Sequence, residues 1–224
     1  MRSWFIAAGL LLVLAGGGCS QEASVAEDAA PTEAVEVRAP EGPLVVFLGD
    51  SLTAGYGLGE DQAFPALLGA ALRDAGRPVR VVNAGVSGDT SAGGLRRLPW
   101  LLAQHPDVLV VALGANDGLR GLAVSLTEEN LRRIVADGQR AGARVLLLGL
   151  RLPPNLGTDY VQAFEAVYPR VARETGVPLV PFFLEGVGGV AELNQEDGIH
   201  PTAEGQRRIA ATVLPYLRPL VPEL

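Results

Sequence analysis

A serine, an aspartate and a histidine in this chain have the types and settings that acyl transfer requires. That chemistry needs a hydroxyl nucleophile, a base to take its proton, a carboxylate to orient the base, and donors for the oxyanion that forms. Ser51 stands in Gly49-Asp50-Ser51-Leu52-Thr53-Ala54-Gly55-Tyr56-Gly57, where a glycine-rich turn lets the backbone bend sharply and leaves the hydroxyl exposed. Asp197 and His200 lie three apart in Asp197-Gly198-Ile199-His200-Pro201. One local turn can therefore hold the carboxylate against one imidazole nitrogen while the other faces Ser51. Two further segments supply donors. Asn83-Ala84-Gly85-Val86-Ser87-Gly88-Asp89-Thr90-Ser91 offers the backbone N–H of Gly88, where the missing side chain lets the main chain approach a ligand. Gly114-Ala115-Asn116-Asp117-Gly118 offers the Asn116 amide. With the N–H of Ser51 these make three candidate oxyanion donors. His105, the other histidine, precedes Pro106 at an expected helix end and is read as structural.

Each segment alone has an ordinary reading. Gly-Asp-Ser after a strand is a turn in which Asp50 caps backbone donors, and Ser87-Gly88-Asp89-Thr90 makes Asx-type hydrogen bonds. Asn116-Asp117-Gly118 is a strong turn signal, and His200 before Pro201-Thr202 finishes a helix start. What those readings leave unexplained is the conjunction, because each segment lies beyond an apolar run that reads as a strand: Leu44–Leu48, Val79–Val82, Val108–Leu113 and Leu179–Phe182, with a further run at Val145–Leu150. Between the runs the apolar period turns helical. Phe64, Leu67, Leu68, Ala71 and Leu72 share one face before the stop at Gly76. Ser91 to Gln104 reads as two short helices meeting at Leu98, because Pro99 interrupts it. Ser125 and Glu128 have capping-box spacing ahead of Leu131, Ile134 and Val135. One helix is expected from Asp159 to Thr175, and Thr202 can cap a last one carrying Ile209, Val213, Leu214 and Leu217. Continuous apolar strands alternating with helices predict a three-layer α/β/α domain. Its expected core is a five-stranded parallel sheet of flavodoxin-like strand order 2-1-3-4-5. Ligands of such sheets bind beyond the carboxyl ends of the strands, where the chemical segments would meet.

These blocks resemble the four blocks of the GDSL, or SGNH, hydrolase superfamily, whose letters fall on Ser51, Gly88, Asn116 and His200. The likeness is strongest to its bacterial multifunctional acyl-CoA thioesterase, arylesterase and lysophospholipase branch. It extends through Arg96 or Arg97 with Leu98-Pro99, Asp117-Gly118-Leu119-Arg120-Gly121 and Arg151-Leu152-Pro153, and runs from about Leu44 to Val221. The resemblance implies a metal-free, cofactor-free hydrolase of esters and thioesters with Ser51, His200 and Asp197 as its triad. A monomer acting on small acyl substrates is expected. Gly-x-Ser-x-Gly, the elbow of the α/β-hydrolase fold proper, is missing, and here the nucleophile follows the first strand.

Three alternatives use the same residues. Asp50, Asn116, Asp117, Asp197 and His200 could hold a divalent metal, although the Asp and His equally satisfy the triad and no His-rich ligand spacing is present. A carbohydrate acetyl esterase on the same catalytic frame is the second, and a non-catalytic, surface-anchored carbohydrate or lipid binding module is the third. The net charge of −7, with all 18 basic residues arginine and scattered, argues against a nucleic-acid partner.

The chain begins with an export-type leader over 1–18: Arg2, an apolar run from Trp4 to Ala15, and Gly16 to Gly18. That run is too short to span a bilayer, which takes about twenty residues. Cys19, the single cysteine, then fits lipidation after lipoprotein-type cleavage, and would make the membrane a partner only through that anchor. Cleavage after Ser24-Val25-Ala26 would instead give a free protein. Residues 19–43, rich in Ala, Glu and Pro, read as a flexible tether, and 44–221 as the hydrolase domain. Near the site, Leu119, Leu152, Pro153 and Leu156 are candidates to line an acyl-chain groove.

Overall fold

The computed structural model describes residues 42–223; the leader, Cys19 and nearly all of the expected tether lie outside them. Five strands form one sheet: β1 (Leu44–Gly49), β2 (Arg80–Gly85), β3 (Val108–Ala112), β4 (Arg144–Leu148) and β5 (Leu179–Val180). All pairings are parallel and the order is β2-β1-β3-β4-β5, as expected. Every residue of β1 and β3 is buried, which is why those strands read as unbroken apolar runs. The helices are α1 (Ser51–Ala54), α2 (Phe64–Asp74), α3 (Ser91–Leu102), α4 (Ala115–Leu119), α5 (Val124–Arg140), α6 (Thr158–Glu165), α7 (Val167–Thr175) and α8 (Ala203–Leu217). α2 packs on α8, and α3, α5 and α7 pack in sequence against one another. β1 and β3 are neighbours whose chains continue toward opposite edges of the sheet, β1 to β2 and β3 to β4. Their carboxyl ends therefore flank the topological switch point, the usual ligand crevice of such sheets.

Four local expectations are corrected. Ser91 to Leu102 is one helix, since Pro99 falls so near its end that Leu98 and Leu101 still bury together. The helix expected over Asp159–Thr175 is two, because Pro169 has no N–H to give the Glu165 carbonyl and the first ends there. Ser125 caps nothing: α5 starts at Val124 with Ala123 as its N-cap. Glu128 instead receives Arg132 at 2.8 Å and Arg170 at 2.6 Å. The fifth strand stops at Val180, before Pro181, whose missing N–H cannot extend a ladder. The Thr202 cap holds, accepting from the Gly205 N–H at 3.3 Å.

Candidate active site

The nucleophile segment is a strand that turns directly into a helix. Asp50 is the N-cap of α1, and its Oδ1 accepts the Leu52 N–H at 3.0 Å. Gly49 permits the turn, since a side chain there would collide with the Thr53 hydroxyl. Ser51 heads α1 and is half-buried. Burial raises the Asp50 carboxyl from its ordinary value to about 6, against the pull of the Leu52 hydrogen bond and of His200.

His200 Nε2 lies 2.9 Å from Ser51 Oγ, and His200 Nδ1 lies 2.6 Å from Asp197 Oδ2. The other oxygen of Asp197 accepts the N–H groups of Ile199 and His200, each at 2.9 Å. These bonds, led by the one to the imidazole, hold the exposed carboxyl down at about 2. With Asp197 accepting from Nδ1–H, Nε2 is left as the acceptor for the serine proton. A short antiparallel bridge between Asn194 and Pro201 closes the loop that carries both residues.

The donor segments arrive beside this pair. Asn116 sits in the first turn of α4, and its Nδ2 donates to the Asp89 carbonyl at 3.0 Å and reaches Asp50 Oδ2 at 3.5 Å. Gly88 holds φ +79°, a conformation that favours glycine, and its carbonyl accepts from Arg120 at 2.9 Å. Of the two arginines left open by the resemblance, Arg97 is the one engaged: it donates to Asp89 at 2.8 Å and to the Gly49 carbonyl at 2.8 Å. Its guanidinium thus ties the Gly88 loop to the end of β1.

Other candidates separate. Asp117 turns inward, where Ser91 N and Oγ donate to it at 2.8 and 2.5 Å and Thr127 at 3.3 Å. The metal-ligand cluster that would include it is therefore not assembled, and among the described residues no group of three or more His, Cys, Asp or Glu is placed to hold a metal ion. Leu119 is exposed, Pro153 is exposed and Leu156 is half-buried against the core. Leu152 is buried under Gly118 and is not free surface. His105 lies at the end of α3 with φ +52°, away from this cluster. A cleft of about 600 Å³ along α2 and β2, lined by residues including Arg73, Val81 and Asn83, shares no lining residue with the triad, whose Ser51 and His200 are half-buried and whose Asp197 is exposed. Sequence reasoning gave no role to Tyr56, which lies within the nucleophile segment, or to Gln195 and Gln206, which touch the site's segments without any motif of their own.

A family model for the GDSL-like lipase/acylhydrolases matches residues 47–208. Esterase TesA of Pseudomonas aeruginosa is 51% identical over 178 residues, 79% of this chain and 89% of that protein. Thioesterase 1/protease 1/lysophospholipase L1 of Escherichia coli (strain K12) is 47% identical over 185 residues, 82% of this chain and 88% of that protein. A crystal structure of TesA matches with a TM-score of 0.77 at 50% identity, covering 80% of this chain and 99% of the other.

Proposed function

Because the chain belongs to the GDSL-like lipase/acylhydrolase family, we propose that it hydrolyses carboxylic esters and thioesters through an acyl-enzyme on Ser51. His200 Nε2 takes the Ser51 proton as Oγ attacks the acyl carbonyl. Asp197 holds the imidazole in the required tautomer and steadies the imidazolium that forms. The N–H groups of Ser51 and Gly88 and the Asn116 amide receive the oxyanion. The proton then passes from Nε2 to the leaving alcohol or thiol. Water, deprotonated by the same nitrogen, attacks the acyl-serine; the acyl–Oγ bond breaks, Nε2 returns the proton to Ser51 Oγ, and the acid leaves.

One observation carries the reading: the unbroken run from Ser51 Oγ through His200 to Asp197, at 2.9 and 2.6 Å, between segments remote in sequence. All the groups come from one chain, so a monomer suffices. The relatives' names, esterase and thioesterase/lysophospholipase, favour small acyl substrates. The decisive experiment is mass spectrometry after a fluorophosphonate probe. One adduct, on Ser51, is expected; an unlabelled but active protein would remove the serine mechanism.

The leader supports export to the cell envelope, with residues 1–18 removed and Cys19 lipidated ahead of the 19–43 tether. Such a protein partitions into detergent and loses that behaviour as Cys19→Ser. A mature N-terminus at Glu27 would refute the anchor.

A further inference from the structure

Two amide side chains bridge the segments that the triad brings together, and neither takes part in proton transfer. Gln195 stands at the mouth of the Asp197–His200 loop. Its backbone N–H donates to the His200 carbonyl at 2.7 Å. Its side-chain Nε2 donates to the carbonyls of Tyr56, at 2.7 Å, and Pro201, at 3.1 Å. Tyr56 belongs to the turn that follows α1, so one amide ties the nucleophile's turn to the base's loop. The fit is close: a side chain at Gly57 would come within 2.6 Å of Gln195 Oε1. Tyr56 in turn lays its ring on the His200 imidazole, centroids 4.5 Å apart and planes 36° from parallel. Gln206 makes a second bridge from below. Fully buried in α8, it donates through Nε2 to the Leu52 carbonyl at 3.1 Å and accepts the Phe64 N–H through Oε1 at 2.9 Å. A buried amide satisfied at both ends, as Gln206 is, fixes geometry, because a shifted partner leaves a polar group unpaired.

We propose that Gln195 and Gln206 are the positioning residues that register the base against the nucleophile. Gln206 fixes α1, and with it Ser51, against α8. Gln195, through Tyr56, holds the imidazole in line with Ser51 Oγ. Ser51 and His200 are 149 residues apart and meet through a single 2.9 Å hydrogen bond. Misplacement by about 1 Å at such a contact costs roughly 10²-fold in rate, so the bridges that exclude it matter as much as the bond itself.

This inference rests on the Ser51–His200–Asp197 reading, and the test separates the two. Gln195→Met, near in size and without the amide, is expected to lower kcat for a p-nitrophenyl ester by about 10–100-fold, with KM within about twofold. Introduced into His200→Ala it should leave the residual rate unchanged, because its effect runs through the imidazole. Tyr56→Leu should lower kcat by a similar factor and add nothing to Gln195→Met. For Gln206 the variant is Gln206→Met, near in size, which loses both the donor to Leu52 and the acceptor for Phe64; kcat should fall about tenfold, with the thermal transition measured alongside. A kcat for Gln195→Met within twofold of the parent, a rise in KM alone, or an equal loss in the His200→Ala background would overturn the proposal. Unchanged kcat with a lowered melting temperature in Gln206→Met would make that residue purely structural. Should Ser51→Ala remain active, the triad reading itself fails whatever Gln195 does; should Ser51→Ala be dead and Gln195→Met run at full rate, only the present inference fails.

Discussion

Asp50 and Asp197 flank the same serine–histidine pair in opposite electrostatic conditions. Asp50 adjoins the nucleophile in sequence, yet it is buried, receives one close N–H donor and has Asn116 at 3.5 Å. Burial drives its carboxyl up to about 6. Asp197 lies far along the chain, is exposed, and collects an imidazole and two backbone N–H groups within 2.9 Å, which hold it at about 2. Near neutral pH the remote carboxylate is the firmly ionised one, and it alone touches the imidazole. Which acid serves the base is decided by donors and solvent, and adjacency along the chain has no say in it. Asp50 is left with architectural duties, capping α1 and standing by Asn116.

The sharpest way to break this contrast is to neutralise each acid. Asp197→Asn should lower kcat by on the order of 10³–10⁴, since an amide favours the wrong imidazole tautomer. Asp50→Asn should cost about tenfold or less, because Asn still accepts the Leu52 N–H and caps well. Ser51→Ala and His200→Ala set the floor, and their double variant should be scarcely worse than either. Equal losses for the two Asp variants would erase the division of labour. Next in size is Asn116→Ala, expected to lower kcat by about 10²–10³ as the loss of one oxyanion donor. An effect on KM alone would make Asn116 a binding residue instead.

Stability should show the contrast with its sign reversed. The Asp50 carboxyl binds its proton more tightly folded than unfolded, so its contribution to stability is present below about pH 4 and is lost as pH rises through about 6. A shift of this size is worth on the order of 3 kcal/mol above that window. Asp50→Asn should therefore be stabilised relative to the parent at pH 8 and show little of that gain at pH 4.5, in urea unfolding at both. For Asp197 the sign is opposite: its low folded-state value contributes stability above about pH 4 that disappears as pH falls toward 2. A pH-independent difference for Asp50→Asn would show that its buried charge is not what matters.

The parallel sheet, its order and the meeting of the four segments were legible because buried strands and turn residues leave local signatures. The placing of Ser51, Gly88, Asn116, Asp197 and His200 on segments that meet was legible for the same reason, and their proposed roles came from the conjunction of those segments and the family resemblance. Helix ends were harder. Ser125 has the chemistry of a cap but lies inside α5, and Pro169 splits a helix whose apolar period runs straight through it. The fates of Asp50 and Asp117 were illegible, since a carboxylate's burial depends on neighbours distant in sequence. Gln195 and Gln206 were invisible for a related reason: an amide that bridges two backbone segments needs no company in its own segment.

The comparison extends, at its smallest scale, to two leucines expected to share one groove. Leu119 is 41% exposed beside the Asn116 turn, whereas Leu152 is 8% exposed beneath Gly118. Only the first presents its side chain to solvent. Each fully buried methylene contributes roughly 0.8 kcal/mol, or about fourfold in affinity, and contact with a partly exposed leucine captures a fraction of that per carbon. kcat/KM for p-nitrophenyl esters from two to sixteen carbons should climb from acetate to medium chains and then level. Leu119→Ser should flatten the climb by a few-fold at its top while leaving acetate unchanged and the fold intact. Leu152→Ala should do the reverse: it opens a cavity worth about 2–5 kcal/mol of stability under α4 and lowers the rate on every ester alike through the Asn116 turn. An acetate-peaked profile in the parent, insensitive to Leu119→Ser, would shift the substrate class to acetylated sugars on the same catalytic frame. If both variants instead flatten the climb equally, Leu152 reaches the acyl chain after all, and the division between rim and core drawn from their burial is wrong.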